Sequence, residues 1–203
     1  MKIAIHPLFL LLLLLFVLSG NIALYSVILM SLFLHELGHF IAAKLVGARI
    51  ERCIIVPYGG EMTLKNEHQL SYKKLTIIAL GGPIATVLGI LIALTLPTIL
   101  REGFINAQLI LLSINLLPIW PLDGGKIVCY GLLHYFPKSV IFETYLSLSI
   151  GLLTVLVLVS LIMLPESISL TILSLFLLSK VIGEWKTRKY RSAFEKLVMK
   201  RLT

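Results

Sequence analysis

The sequence carries little charge. Asp, Glu, Lys and Arg make up 14% of its 203 residues, while 58% of the residues are hydrophobic; a typical soluble domain is about 25% charged. The mean hydropathy of +1.00 excludes an ordinary soluble domain of this size and indicates a polytopic membrane protein. In such a protein the net charge of +8 is explained most simply by basic residues in cytoplasmic loops. We therefore expect no nucleic-acid partner.

Cysteine is also scarce. Cys53 and Cys129 are the two cysteines of the chain, so we expect reduced thiols that ligate no metal rather than a disulfide framework. The apolar stretch from Ile3 to Leu18 has no small-residue cleavage site and is followed by further apolar stretches. It is therefore interpreted as a retained membrane helix and not as a cleaved signal peptide.

Long apolar runs fill most of the chain, and turn residues such as Gly20-Asn21 separate them. A membrane-spanning helix needs about 20 apolar residues. We predict an all-α polytopic membrane protein with six transmembrane helices, in which 1–183 form one intramembrane domain and 184–203 form a basic cytoplasmic tail. The predicted spans are 3–19, 21–43, 75–97, 104–122, 139–163 and 167–183.

The basic residues predict the orientation of these spans. If the N-terminus is cytoplasmic, the cytoplasmic segments are 1–2, 44–74, 123–138 and 180–203, the last of which includes the end of the final span. These segments hold all of the 18 Lys and Arg residues except Arg101. This asymmetry predicts a multi-pass protein of the cell membrane with both termini in the cytoplasm. The basic, weakly amphipathic tail is expected to lie on the anionic inner leaflet of the bilayer.

The region between the second and third predicted spans has strand character. Residues 49–56 are partly alternating and β-branched, 57–60 predict a turn, and 61–64 predict a second short strand. An ordinary cytoplasmic loop is the alternative. We favour a short membrane-associated β-hairpin whose edge binds an extended substrate, with Gly59 and Gly60 letting the backbone approach closely.

The most informative motif is His35-Glu36-Leu37-Gly38-His39, which lies inside an apolar run. Residues i and i+4 share one face of a helix, so His35 and His39 are placed to bind one metal ion, with Glu36 beside them to act on a metal-bound water. A charged side chain at mid-bilayer costs about 2.5–3.5 kcal/mol on insertion scales. A chance occurrence of the pattern is the alternative, but a membrane helix gains nothing from burying three polar groups.

A catalytic zinc site usually has three protein ligands, and the third can be a carboxylate. Asp123 is the one aspartate of the chain and follows an apolar span that Asn115, Pro118 and Pro121 interrupt. Prolines remove backbone donors, and the following glycines allow unusual dihedral angles, which together can turn a side chain inward. The alternative is that Asp123 simply ends the span as a turn residue.

Taken together, the motif HELGH at 35–39 and the motif NLLPIWPLDG at 115–124 resemble the site-2 protease family of intramembrane zinc metalloproteases. The turn at 57–60 and Gly81-Gly82-Pro83 add to the resemblance, which covers 1–183. The sequence NLLPIWPLDGGK is most similar to the sporulation branch of the family. That branch usually has a cytoplasmic CBS domain after the last span, and the segment 184–203 is too short for one.

The resemblance implies a function and its residues. His35, His39 and Asp123 would hold Zn²⁺, Glu36 would activate the water, and Asn115 and Pro121 would line the substrate path. The implied reaction is hydrolysis of a peptide bond in or near a membrane segment of a membrane protein or membrane-associated protein. In the sporulation branch this implies a sigma-factor precursor as substrate, membrane inhibitor proteins as partners, and the mother-cell membrane around the forespore as location.

Two other functions remain open at this stage. A catalytically inactive zinc-binding membrane scaffold would use the same ligands, although a pure metal site does not need Glu36. A broken-helix ion transporter would use Asp123 and the histidines to bind the transported ion, although no internal repeat is apparent in the sequence.

Overall fold

The computed structural model describes residues 2–5, 20, 22–56 and 59–202. The chain divides into two compact units, Met1–Leu117 and Pro118–Thr203. The described residues form three strands, six α-helices and a 3₁₀ turn at Glu67–Gln69. The strands are β1 (Lys2–Ile5), β2 (Ile50–Val56) and β3 (Gly59–Leu64), and the helices are α1 (Ile22–Leu45), α2 (Tyr72–Ala93), α3 (Thr98–Asn115), α4 (Asp123–Tyr135), α5 (Ser139–Ile162) and α6 (Ile168–Leu202).

The first unit holds a three-stranded sheet in the order β1-β2-β3. β2 and β3 form an antiparallel hairpin in which Cys53 lies opposite Met62 and Val56 opposite Gly59. β1 joins β2 in parallel, with Lys2 opposite Arg52 and Ile5 opposite Ile55. The predicted hairpin is thus confirmed, but Gly59 and Gly60 are paired residues of β3 rather than turn residues. Pro57 and Tyr58, the other half of the predicted turn, lie outside the described residues.

The helices of the first unit pack closely because small residues face each other. A methyl group added at Gly38 of α1 would collide with the Gly81 carbonyl of α2, and one added at Gly81 would meet the Gly38 oxygen at 2.5 Å. Small residues at such crossings let backbones approach each other in membrane bundles. Gly47, two residues after the end of α1, has a φ of +78°, a left-handed conformation that glycine adopts without strain. Ser71 caps the start of α2 by accepting a 3.4 Å hydrogen bond from the Lys74 amide.

The second unit has its own core. Trp120 sits there between the edges of Tyr130 and Phe142, at ring-centroid distances of 5.9 and 5.2 Å. The Ser149 hydroxyl of α5 accepts a 3.1 Å hydrogen bond from the Trp120 amide. The remaining buried core residues of this unit are Ile119, Cys129, Leu133, Tyr145, Leu146, Leu153, Leu177 and Val181.

Three helices are long and apolar enough to cross a membrane, among the residues described: Tyr25–Leu45, Tyr72–Ala93 and Ser139–Ile162. Between 28% and 39% of each is buried within the protein, and large apolar side chains such as Phe33 and Ile162 are exposed at 62% and 84%. Such surfaces suit lipid and not water. The protein is therefore a mainly helical membrane protein, while six crossings remain a prediction.

Two of the predicted spans need correction. Ile3 to Ile5 were predicted to belong to the first span but lie in strand β1. Apolar composition does not distinguish a helix from a strand. These residues form a strand because they pair with residues of β2. Residues 6–19, the rest of that span, lie outside the described residues. The span predicted over 104–122 is helical from Thr98 to Asn115 and then breaks, because Pro118 and Pro121 cannot continue a helix.

Two segments outside the predicted spans, 123–135 and 184–202, are helical. Residues 123–135, expected as a cytoplasmic loop, form helix α4. At its start a methyl group on Gly125 would collide with the Ile119 backbone, so the glycine lets the helix begin against the preceding turn. α6 continues without interruption from Ile168 to Leu202, so the predicted tail is part of that helix; its side chains after Thr187 lie outside the described residues.

Candidate metal centre

His35 and His39 lie one turn apart on the same face of α1, as the sequence predicted. Their Nε2 atoms are 3.2 Å apart, and the ring planes meet at 83° with centroids 4.9 Å apart. His35 is buried, with 2% of its surface exposed. The two side chains therefore present the same ring nitrogen to one point.

α2 determines the tautomer of His35. His35 Nδ1 lies 2.8 Å from Thr86 Oγ1, and the Thr86 hydroxyl donates to the Gly82 carbonyl at 3.0 Å. Because the hydroxyl proton is used on Gly82, Thr86 accepts a hydrogen bond from His35 and Nδ1 carries the proton. In the neutral ring the lone pair is then on Nε2, which is the form that ligates a metal.

His39 is held in the same tautomer by a backbone group. Its Nδ1 lies 2.8 Å from the Ile78 carbonyl, which can only accept. The Gly82 amide also lies 3.2 Å from this nitrogen, but Nδ1 cannot donate to Ile78 and accept from Gly82 at once. We assign the hydrogen bond to the shorter contact, in which His39 Nδ1 donates to the Ile78 carbonyl. The Gly82 amide already has an acceptor, because in a helix it donates to the same carbonyl four residues earlier.

The arrangement of the two imidazoles fits zinc. Two neutral nitrogens with lone pairs cannot hydrogen-bond to each other, so a separation of 3.2 Å is unfavourable without a cation. Zinc binds histidine nitrogen at about 2.0–2.1 Å in tetrahedral geometry, which places two such ligands roughly 3.3–3.4 Å apart. The donor set and its spacing therefore match a zinc site.

Gly82 of α2 provides the space beneath this point. A methyl group built on Gly82 would collide with His39 Nε2 and would lie 2.6 Å from His35 Nε2. Any side chain there would push the two ligating nitrogens aside. Gly81-Gly82-Pro83 contributes to the family resemblance, but the sequence alone does not assign Gly82 or Thr86 to the site. The one sequence signal for Thr86 is that a polar threonine lies within an apolar helix.

Glu36 faces the hairpin. A methyl group on Gly60 of β3 would lie 2.7 Å from Glu36 Oε2, so the hairpin backbone reaches the carboxylate because residue 60 is a glycine. Burial, with the Glu36 charge as a second cause, raises the pKa of the Cys53 thiol on β2. A thiolate is the form that ligates metals, so Cys53 stays protonated and out of the site. Cys53 and Cys129 form no disulfide.

The other predicted site residues belong to different parts of the chain. Asn115 is the last residue of α3, and its side-chain amide donates to the Leu111 carbonyl at 3.1 Å. Pro121 and Asp123 belong to the second unit, where Asp123 begins α4 and its Oδ1 lies 3.8 Å from Lys126 Nζ. Within the first unit, His35, His39, Glu36 and Gly60 lie close together. The functional assignments of these residues and of Asn115, Pro121, Gly59 and Asp123 stay predictions.

Comparison with known proteins places this geometry in a family context. Residues 23–106 match the family model of Peptidase family M50. The matched range contains α1 from its second residue, the hairpin and α2, with His35, Glu36, His39 and Gly82, and ends before Asn115.

Two curated relatives match more of the sequence. Stage IV sporulation protein FB of Bacillus subtilis is 28% identical over 196 residues, which cover 94% of this chain and 68% of that protein. Zinc metalloprotease MJ0392 of Methanocaldococcus jannaschii is 28% identical over 116 residues, which cover 52% of this chain and 33% of that protein.

The fold is also similar to a solved structure. The Site-2 Protease from Methanocaldococcus jannaschii superposes with a TM-score of 0.71 and 23% sequence identity, covering 91% of this chain and 92% of that one. At this identity the likeness establishes a shared fold, and the chemistry depends on the residues described above.

Proposed function

We propose that this homologue of Peptidase family M50, the site-2 protease family, is an intramembrane zinc metalloprotease that cleaves a peptide bond in or near a membrane segment. The likeness to the family, predicted from two motifs, is confirmed by the family match and the curated relatives. One observation carries the proposal: two imidazole Nε2 atoms 3.2 Å apart, next to Glu36, on a helix apolar enough to cross a membrane. Comparing peptide cleavage by wild type and a Glu36 variant tests it.

We propose that zinc is held by His35 Nε2, His39 Nε2 and a carboxylate oxygen of Asp123. The His pair is supported by its tautomers and spacing, and Asp123 is supported by the motif resemblance and by the usual need for a third ligand. When bound, zinc supplies a Lewis acid and lowers the pKa of a coordinated water to about 7. Glu36 takes the proton of the attacking water on its carboxylate and later returns a proton to the leaving amine nitrogen.

Replacing Asp123 by Ala is expected to remove most of the zinc and to abolish cleavage, because two imidazoles alone leave the site one protein ligand short. Metal analysis of the purified variant measures the zinc, and a cleavage assay measures the activity. Lys126→Ala is the control, since it removes the neighbouring cation 3.8 Å from Asp123 but no proposed ligand. If the two variants lose zinc to the same extent, Asp123 acts through its ion pair and is not a ligand.

Thr86→Val is expected to weaken zinc binding by about 10–100-fold, the usual cost of losing a group that orients a metal-ligating histidine. Without the hydroxyl acceptor, His35 is no longer restricted to the tautomer that ligates through Nε2. Chelator competition on purified protein measures the affinity, and Thr86→Ser should restore it.

Thr76→Val is the matched control for Thr86→Val. Thr76 lies on the same helix, and its hydroxyl bonds the carbonyl of Tyr72 four residues earlier at 3.0 Å, as that of Thr86 bonds Gly82. The control therefore loses the same backbone bond but no histidine contact. Equal losses of affinity in the two valine variants would show a general helix effect and remove Thr86 from the site.

We propose that the substrate binds in extended form against the free edge of the hairpin, which among the described strands is β3, since β2 lies between β1 and β3. A transmembrane helix keeps its carbonyls in internal hydrogen bonds, so the scissile bond must be unwound before it can be attacked. An edge strand offers replacement hydrogen bonds. Gly59 and Gly60 would contact the substrate backbone there, and Asn115 and Pro121 would line its path.

Gly60→Val is expected to slow cleavage by roughly 10²-fold without loss of zinc, since a 1 Å displacement in an active site can cost that much. The added side chain would displace the Glu36 carboxylate, which leaves only 2.7 Å for a Cβ atom. Thr63→Val, an exposed position of the same strand, is the control for strand propensity. Normal cleavage by Gly60→Val, or an equal loss in both variants, contradicts the role of the hairpin.

We further propose that both termini are cytoplasmic. The distribution of Lys and Arg supports this for both termini. The pairing of β1 with β2 concerns the N-terminus alone, which it puts on the same side as the hairpin. A reporter fused after Thr203 reads out the position of the C-terminus, and a translocated reporter contradicts the arrangement.

The resemblance to the sporulation branch leads us to propose a sigma-factor precursor as substrate, in the mother-cell membrane around the forespore and under the control of membrane inhibitor proteins. Co-expression with such a precursor tests this proposal through the size of the precursor. An unchanged precursor beside a protease that cleaves other membrane substrates rejects the sigma-factor assignment alone.

A further inference from the structure

Two buried polar side chains of the first unit have hydrogen-bonding atoms without a partner among the described residues. They are Ser31 of α1, through its Oγ, and Gln108 of α3, through both Nε2 and Oε1. Ser31 is 2% exposed and Gln108 is 0% exposed. Burying an amide or hydroxyl without hydrogen bonds costs several kcal/mol in an apolar setting, so these atoms need a partner.

Ser31 differs from the other buried hydroxyls in the described part of the chain. Each of the others has a hydrogen-bond partner: Thr86 with Gly82, Ser149 with Trp120, Ser160 with Val157, Thr171 with Ser167, and Ser174 with Thr171. Four of these five donate to a carbonyl three or four residues earlier in the chain, as serine and threonine in helices often do. The Ser31 hydroxyl does not, and it is therefore available to another group.

Ser31 and Gln108 lie at similar depths in the bundle. α1 and α2 run antiparallel, because His35 contacts Thr86 while His39 contacts Ile78. Ser31 is one turn from His35 towards the N-terminal end of α1, and Gly89 is about 4.5 Å beyond Thr86 in the same direction. The Gln108 amide rests on Gly89, where an added methyl group would lie 2.7 Å from Nε2.

We infer that Ser31 and Gln108 bind internal water, in a site one helical turn beyond His35. The chemistry of the two side chains selects this ligand. Both are neutral, so they offer no charge to an ion, and both donate and accept hydrogen bonds, as water does. The atoms are enclosed, which excludes a substrate chain, and a buried water typically makes 2–4 hydrogen bonds to such groups. The site does not depend on the proposed protease activity.

The site provides water within an otherwise apolar part of α1. It also joins α3 to α1 by hydrogen bonds, which apolar packing between these helices does not supply. Water held one turn from His35 adds a store for hydrolysis, which consumes one water molecule for each peptide bond.

A double-mutant cycle on the full chain in detergent tests the inference through the thermal midpoint. Ser31→Ala and Gln108→Leu should each lower Tm, because each leaves the other residue and the water with unmade hydrogen bonds. The double variant should lose less than the sum of the two, since it removes both polar partners. Ser174→Ala, a buried serine bonded to its own helix, is the control and should show no coupling to Gln108→Leu.

Radiolytic labelling in H₂¹⁸O then identifies the partner. Hydroxyl radicals formed from bound water should label peptides from α1 and α3 around Ser31 and Gln108 in the wild type, and the double variant should lose this label. If either single variant raises Tm, the atoms have no partner and the inference is wrong. Coupling without labelling shows a direct Ser31–Gln108 hydrogen bond and also overturns it.

Discussion

Glu36→Gln is expected to reduce cleavage by about 10²–10⁴-fold, the usual contribution of a general acid-base group, with the zinc content unchanged. Glutamine keeps the size and shape of glutamate but cannot take the proton of the attacking water. Glu36 lies between the two histidines in the sequence of α1 and is not needed to fix their tautomers, which Thr86 and Ile78 determine. The rate of product formation and the zinc-to-protein ratio of the same preparation measure the two effects.

Glu51→Gln is the control, because Glu51 is an exposed residue of β2 and should leave both quantities at the wild-type level. Comparing the wild type with Glu36→Gln also separates the alternative functions. If the protein is an inactive zinc scaffold, neither the wild type nor the variant cleaves peptide. If it is an ion transporter, it binds zinc or another ion but forms no peptide products. Near-normal cleavage by Glu36→Gln would end the assignment of Glu36 as the base.

Gly82→Ala is expected to abolish zinc binding and, with it, cleavage. The added methyl group would lie against both Nε2 atoms, in collision with His39 and 2.6 Å from His35, and would push them out of ligating position. The direction of the effect is informative, since alanine is about 1 kcal/mol more favourable than glycine inside a helix. A loss of function therefore cannot come from helix propensity.

Gly151→Ala provides the matched control for Gly82→Ala. Gly151 lies inside helix α5, and an added methyl group would meet no atom within 4 Å, so this variant should keep its zinc and keep or raise its Tm. Metal analysis and thermal unfolding of both variants make the comparison. Full zinc occupancy in Gly82→Ala would show that the imidazoles do not converge over this glycine.

The sequence correctly predicts that His35 and His39 share one face of α1, and the reasons are local. His35 and His39 are four residues apart, the period of a helix is known, and ionisable residues are costly inside an apolar run. Thr86 and Gly82 were not assigned because their roles depend on which helix packs against α1. No local pattern encodes that His35 meets a hydroxyl 51 residues later.

The limits of apolar runs as predictors are visible in two places. An apolar run continues through 104–122, but the prolines end α3 at Asn115 and the chain starts again as α4. The residues of β1 are as apolar as a helix requires, and only their pairing with Arg52 to Ile55 makes them a strand. In both cases the secondary structure depends on backbone hydrogen bonding, which amino-acid composition does not reveal.

The pairing of β1 with β2 has a consequence for the order in which the protein is made. Lys2 pairs with Arg52 and Ile5 with Ile55, so the first strand to be synthesised has no partner until fifty further residues, including all of α1, have left the ribosome. Contacts between residues so far apart in sequence form late, after the intervening chain is in place. α1 is therefore synthesised before the sheet can be completed, and a nascent chain halted before Ile55 would hold β1 without the full length of its partner strand.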